Sequence, residues 1–309
     1  MKAIKFNEYG DAAVLRLVDA DRPVPGPGQV LVRVAGTSFN PVDATIRAGH
    51  LAQVFPLDLP HTPGIDVSGT VAEVGPGVTR FEVGDEVVGF LPMTSDGAAA
   101  EYVAAPVEVL AAAPQTLALA DAAALPAVGL TAWQSVVEHA DLRPGQRVLV
   151  NGAGGAVGGY AVQLAHQAGA TVVAVARPRH AERLREYGAD EVVDHDAGPL
   201  SEQVSGQVDA VLNFAPVPPE EVATLAALVR DGGVLVSTTA PGPEGDPRGV
   251  RSISVFARAD AEQLAGLVDR VDAGKLHVHV AERFDLADLA DVHARAAEGA
   301  LAGKTVVLV

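Results

Sequence analysis

Residues 148–177, VLVNGAGGAVGGYAVQLAHQAGATVVAVAR, decide the fold. An apolar run, Val148 to Val150, leads into a glycine-rich turn, then an amphipathic helical pattern, then a second β-branched run. Ala153, Gly155 and Gly158 fill the slots of a GxGxxG fingerprint, with alanine in the first, and Gly152, Gly155 and Gly158 fit a GxxGxxG spacing. Glycine at such places permits a tight turn, close approach of backbone to a pyrophosphate, and packing of helix on strand. The strand–turn–helix context therefore implies a dinucleotide site, with Gly152, Ala153, Gly154, Gly155, Ala156 and Val157 offering N–H groups and the helix dipole to phosphate. A turn made for packing alone is the plainer alternative.

The residues after the second run choose the nucleotide. An NAD site expects an acid there for the ribose 2′-hydroxyl. This chain has Ala176-Arg177-Pro178-Arg179-His180, and the next acid is Glu182. Guanidinium groups of Arg177 and Arg179 suit a 2′-phosphate through paired, charge-assisted hydrogen bonds, which favours NADPH. The competing reading is two solvated arginines at a helix start.

Outward from this segment, RVLVNGA, TVVAVAR, EVVDH, AVLNFA, GVLVSTTA and SISVFAR are six short apolar runs separated by helical patterns. That alternation predicts an α/β fold, a doubly wound Rossmann domain with a six-stranded parallel sheet. Ligands of such sheets lie beyond the carboxyl ends of the strands, so Asn213, Phe214, Ala215, Thr238 and Thr239 are expected to line the cofactor. The first third, with QVLVRVAGTSF, VSGTVAEVGPGV and DEVVGFLP, reads as β-rich between turn signals. HVHVAERFDL, a short helix and KTVVLV return to that texture at the end. Expected boundaries are 1–122 for the β-rich domain, completed by 275–309, and 123–274 for the nucleotide domain.

Composition narrows the function. The formal charge of −17 argues against nucleic-acid partners and anionic membranes. MKAIKFNEYG lacks the apolar run of a signal peptide, and no later stretch is long enough to span a bilayer, so a cytoplasmic location is expected. The chain has no cysteine, which removes disulfides, thiolate nucleophiles and cysteine-ligated zinc.

SFNPVDATIRAG, LPHTPGIDVSGTVAEVGPGVTRFEVGDEVVG, GLTAWQSV, PGQRVLVNGAGGAVGGYAVQLA, YGADEVVD and GKTVVLV together resemble the quinone oxidoreductase-like branch of the medium-chain dehydrogenase/reductases, essentially end to end. The resemblance implies a GroES-like domain built from both chain ends, a Rossmann domain between, and a cleft for the nicotinamide. Zinc alcohol dehydrogenases of that superfamily carry Gly-His-Glu where this chain has Gly64-Ile65-Asp66. The zinc-binding histidine is replaced by Ile65, so no metal is expected. His277 and His279 alternate onto one strand face and read as surface residues. A short-chain dehydrogenase is disfavoured, since no tyrosine has a lysine four residues on.

The resemblance also assigns roles. It implies that Asn40, in Asn40-Pro41-Val42-Asp43, touches ribose or substrate with Asp43 beside it. An ordinary helix start, with Asn as N-cap and Pro at the first position, reads equally well, and both roles can coexist. Thr131 lies where the family packs a hydroxyl near the nicotinamide amide; a helix-start threonine satisfying backbone is the alternative. His195 follows the third strand where relatives place an aromatic beside the adenosine phosphate. Thr45 stands where relatives often have tyrosine, and Arg47 reads as an exposed ion-pairing residue or a substrate-orienting one. Trp133 reads as core. Zinc-free chemistry leaves hydride transfer from NADPH to a quinone or an α,β-unsaturated carbonyl. An enoyl reductase for carrier-bound thioesters and an idle NADPH-binding sensor are the alternatives. The strand at Ile253 to Ala257 is an expected sheet edge, which would make the chain a homodimer.

Overall fold

The six apolar runs become six strands of one sheet in the computed structural model, which describes residues 1–309. They are β1 (Arg147–Asn151), β2 (Thr171–Val175), β3 (Glu191–Val193), β4 (Val208–Asn213), β5 (Val229–Ser237) and β6 (Arg251–Ser254). Their order is β3-β2-β1-β4-β5-β6, every pairing parallel, with Val150 of β1 registered between Ala174 and Leu212. Parallel strands are covered on both faces, which is why these runs are apolar throughout rather than alternating. Leu149, Val173, Val211 and Leu235 are fully buried in one core with Val222 and Leu225 of the helix Pro219–Ala227. The strand order reverses between β1 and β4, so the crossovers leave on opposite faces there and open a place for a ligand at the carboxyl ends.

The turn after β1 shows why glycine is required at two of its positions. Gly152 has φ +79°, and a Cβ on it would lie 2.9 Å from the backbone nitrogen of Ala215. A Cβ on Gly158 would lie 2.3 Å from the carbonyl oxygen of Gly152 and 2.6 Å from Cα of Ala153. The helix Ala156–Gln167 therefore presses its first turn directly on the backbone leaving β1.

This second compact unit spans Val128–Arg258; the first comprises Met1–Ala127 and Ala259–Val309. In the first, Gln29–Ser38 pairs with Asp66–Val74, with Tyr102–Pro106 and with the last strand, Thr305–Leu308, in an antiparallel manner. Val306 is registered with Ser38, so the two ends of the chain share a sheet. Valines 30, 32, 34, 67, 71 and 87 form its core with Leu91 and Leu110.

Three expectations about chain layout need correction or adjustment. The units part at 127/128 and 258/259 rather than at 122 and 274. The helix Ala261–Asp272 goes with the β-rich unit, where Asp272 Oδ1 accepts from the backbone N–H and the hydroxyl of Thr116, at 3.0 and 2.9 Å. Residues 277–280 form no strand; pairing begins at Glu282, opposite Thr305, and His277 and His279 are exposed loop residues. No helix is long and apolar enough to cross a membrane.

The glycine geometry separates two substitutions that look alike in sequence. Gly158→Ala forces backbone apart and should lower stability by roughly 1–3 kcal/mol. Gly155→Ala meets only the Gly152 oxygen at 3.3 Å, and should stay within about 0.5 kcal/mol of the parent. Urea unfolding of the two variants measures both; equal losses would show that the close approach at Gly158 does not constrain the fold.

Candidate functional site

The glycine-rich turn ends in Gly155, the N-cap of Ala156–Gln167, and no side chain caps that helix. Its first-turn N–H groups are thus available to an outside acceptor, with the positive end of the dipole behind them. Gly155 is exposed, and only one backbone atom lies within 4 Å of where its Cβ would be. The cradle fits a dinucleotide phosphate.

Around the turn, the carboxyl ends of the central strands are tied by side chains. Asn151 Nδ2 donates to Asn213 Oδ1 at 2.9 Å. Asn213 Nδ2 donates to Ser237 Oγ at 3.1 Å and to Thr239 Oγ1 at 3.0 Å, and Thr239 Oγ1 donates to the Ala215 carbonyl at 2.9 Å. Asn213 is fully buried, so its amide fixes the ends of β4 and β5 rather than pointing outward. Phe214 and Thr238 are held by backbone bonds, Phe214 N–H to Asn151 O and Thr238 N–H to Asn213 O, and both stay partly exposed, as does Ala215.

At the end of β2 the basic side chains gather. Arg177 and Arg179 are exposed; Arg177 Nε lies 3.6 Å from Asp196, which also stands 2.9 Å from His195 Nδ1. Arg179 Nε donates to His180 Nε2 at 3.1 Å. Arg183 Nη2 reaches back to the Gly154 carbonyl at 3.0 Å, which ties the basic group to the turn. His180 and Arg183 were not singled out in the sequence, because nothing there shows the second helix folding back over Gly154.

Thr131 belongs to this unit but sits in the last turn of the helix Pro126–Trp133, not at a helix start. Its carbonyl accepts from Ser135 Oγ at 2.7 Å where the chain continues as a π-helix, Gln134–His139. Trp133 is only half-buried.

In the first unit, Asn40 and Asp43 belong to a buried polar cluster. Asn40 precedes the helix Pro41–Arg47, and its backbone N–H donates to Asp43 Oδ2 at 2.9 Å. Its side chain looks elsewhere: Nδ2 donates to Asp66 Oδ2 at 2.8 Å, and Oδ1 accepts from Lys304 Nζ at 2.8 Å. Lys304 Nζ also lies 3.3 Å from Asp66 Oδ2 and from the Phe39 carbonyl. Asp66 further accepts from Ser38 Oγ and, through Oδ1, from Ala127 N–H at 2.7 Å. Both orientations of the Asn40 amide are thereby fixed, with one amide hydrogen still to offer. Sequence reasoning missed Lys304 and Ser38, and took Asp66 only as a departure from a zinc motif. GKTVVLV was the available signal, a lysine at the mouth of an otherwise apolar strand.

Burial pushes the Asp43 carboxyl up to about 7, and the neighbouring Asp66 adds to this, while the N–H groups of Asn40 and Ile65 and the Lys304 charge oppose it. Burial likewise lowers Lys304, against the pull of Asp66 and Asp43. Arg47 is neither exposed nor free to orient a ligand. It is buried, with Nε on the Gly10 carbonyl at 3.2 Å and Nη1 3.2 Å from His293 Nδ1. Burial and that guanidinium push His293 down to about 3. Thr45 turns its hydroxyl to the Pro41 carbonyl at 3.0 Å.

A zinc ion does not fit this cluster. Ile65 has no donor atom, the chain has no thiolate, and the oxygens of Asp66 already take four donors, one of them the Lys304 ammonium.

Comparison with known proteins agrees with this architecture. Residues 26–115 match the alcohol dehydrogenase GroES-like domain, and residues 187–307 match a model described as zinc-binding dehydrogenase. A chloroplast envelope quinone oxidoreductase homolog from Arabidopsis thaliana is 34% identical, the match covering 99% of this chain and 98% of that protein. Among solved structures, an NAD-dependent alcohol dehydrogenase is 31% identical with a TM-score of 0.90, covering 100% of both chains. A mycobacterial protein solved with NADPH is 29% identical with a TM-score of 0.85, also covering 100% of both.

The raised Asp43 has a consequence for stability. The folded chain holds that proton more tightly than the unfolded chain, whose aspartate titrates near 4. The contribution is therefore complete below about pH 4 and is lost as pH rises through 7, at no more than about 1.4 kcal/mol per pH unit. Urea unfolding between pH 5 and 8 should show this decline in the parent and its absence in Asp43→Asn. The same slope in both would exclude Asp43 as the source.

Proposed function

This chain belongs to the quinone oxidoreductase-like branch of the medium-chain dehydrogenase/reductases, and from that premise we propose that it reduces quinones or α,β-unsaturated carbonyls with NADPH, without zinc. The observation that carries the reading is the uncapped glycine cradle with Arg177, Arg179 and His180 at the end of β2, where an NAD site would place an acid. One solved relative named NAD-dependent and one solved with NADPH share this fold, so the residues beside the ribose decide the cofactor. Guanidinium groups favour the phosphorylated ribose.

When bound, NADPH supplies the hydride. Gly152 to Val157 would hold its diphosphate; Arg177, Arg179 and His195 would hold the adenosine phosphate; Asn213, Phe214, Ala215, Thr238 and Thr239 would shape the floor at the strand ends. Asn40 keeps one amide hydrogen for a ligand, its plane held by Lys304 and Asp66. Asp43 holds the Asn40 backbone, and Thr131 would meet the carboxamide of the nicotinamide. No group here acts as a Lewis acid, so the acceptor has to delocalise the arriving charge itself, which quinones and enones do. The acidic surface speaks for a small uncharged acceptor rather than a nucleic acid. Strand β6 is a sheet edge followed by Phe256, 60% exposed, and its pairing would give a homodimer. Sedimentation at the monomer mass of 31.6 kDa would refute that assembly.

The test is a fluorescence titration with NADPH and NADH, followed by 1,4-benzoquinone, 9,10-phenanthrenequinone or a small enone while cofactor absorbance is watched. NADPH should bind roughly tenfold or more tightly than NADH, and at least one acceptor should oxidise it. Equal affinities would remove the arginine argument. Tight binding with no turnover would make the chain a binding protein instead of a reductase.

A further inference from the structure

Asp43 and His61 line one small cavity within the β-rich unit, walled also by Ile46, Ile65 and Met93 and with room for about one water molecule. His61 is buried, its backbone paired with that of Phe6 and its ring edge-on to the Phe6 ring, centroids 5.4 Å apart. Its Nδ1 stands 3.9 Å from Asp96 Oδ1, just beyond hydrogen-bond length. Asp43 takes the N–H groups of Asn40 and Ile65. Burial keeps about half of this carboxyl protonated near pH 7, and the proton it carries has the cavity to turn to.

A surface cleft of about 450 Å³, lined by Lys5, Asp21, Asp96 and Tyr102, adjoins this cavity, since Thr62, Ser95 and Gly97 border both. Asp96 is exposed there and fixed beside His61: Oδ1 accepts from Thr62 N–H at 2.7 Å, and Oδ2 from Lys5 Nζ at 3.1 Å. The charged groups along this line can be named. Asp43 faces Asp66 and Lys304, while Arg47 of its own helix is turned to Gly10 and His293. His61 faces Asp96 and Lys5; burial lowers the imidazole, with Asp96 opposing and Lys5 assisting. At neutral pH the ring is therefore uncharged, with one N–H to give and one lone pair to receive.

We propose that Asp43 gives the acceptor its proton and that His61 resupplies Asp43 from the cleft at Asp96. This rests on the reductase reading above and adds the proton that the hydride leaves wanting. As the acceptor takes the hydride, the Asp43 O–H bond breaks and the acceptor oxygen gains the proton. The carboxylate left behind takes the N–H proton of His61 across the cavity. The ring is reprotonated at its other nitrogen from solvent, by way of Asp96. One hydride and one proton enter per turnover, and NADP+ and the reduced acceptor leave.

Infrared spectroscopy of the protein without cofactor reads the path directly. At about pH 6, below the Asp43 value of about 7, the carbonyl band of the protonated carboxyl should shift on transfer to D2O within the mixing time. Its loss in Asp43→Asn, and its fading as pH rises through 7, identify the band. His61→Phe keeps a ring of similar shape and should slow that exchange roughly tenfold or more. In turnover with NADPH and 1,4-benzoquinone, His61→Phe and His61→Ala should lower kcat roughly tenfold or more and leave KM within about twofold. Added imidazole should restore His61→Ala, and thermal unfolding confirms that the variants fold. Exchange as fast in His61→Phe as in the parent, or an unchanged kcat in both variants, overturns the relay and leaves the reductase reading standing. A parent that passes hydride to none of the acceptors removes the reductase reading, and the delivery step with it.

Discussion

One buried carboxylate organises the β-rich unit. Asp66 accepts from Ser38, Asn40, Lys304 and the backbone of Ala127, four donors from three separate stretches of the chain. An ion of this kind is tolerated inside a protein only when its acceptors are saturated and its charge is matched. Lys304 matches it, and Asn40 is locked between the two. Remove any one partner and the others are left with uncompensated polarity, so the geometry at Asn40 depends on the whole set. Burial first, and then the Asp66 beside it, make a charge on the second carboxylate, Asp43, costly, and its pKa is raised accordingly.

The nucleotide unit reaches rigidity by a different route. Its cradle is backbone, made possible by the absence of side chains at Gly152 and Gly158, and its floor is a relay of neutral amides and hydroxyls from Asn151 to Thr239. Neutral groups at the strand ends leave the helix dipole and the basic cluster as the local fields. The nucleotide unit thus offers an uncapped helix end beside basic side chains, and the β-rich unit a fixed amide.

The six parallel strands were legible because strands covered on both faces write themselves as continuous apolar runs, and the glycine turn because its spacing admits few other uses. The return of the tail to the first sheet was also legible, from KTVVLV. Contacts between distant residues were not. Arg47 reads as a surface residue until His293, 246 positions away, is seen to face it, and Lys304 looks ordinary until it meets Asp66. The helix Ala261–Asp272 is amphipathic, and an apolar stripe does not say which of two sheets it will cover; Thr116 settles that. HVHV alternates as a strand should, yet has no partner before Glu282. Over the turn, the placement of His180 and Arg183 depended on a helix folding back across a glycine, which no local pattern announces.

The pairing of Val306 with Ser38 also sets a timetable. During synthesis the nucleotide unit emerges as one continuous stretch and has every strand it needs once Ser254 is out. The surrounding unit, begun earlier, waits with its longest strand lacking a neighbour and Asp66 lacking its cation until residues 304–308 leave the ribosome. A nascent chain stalled a few residues short would carry a finished nucleotide unit and an unfinished β-rich one, exposing an unpaired edge to chaperones.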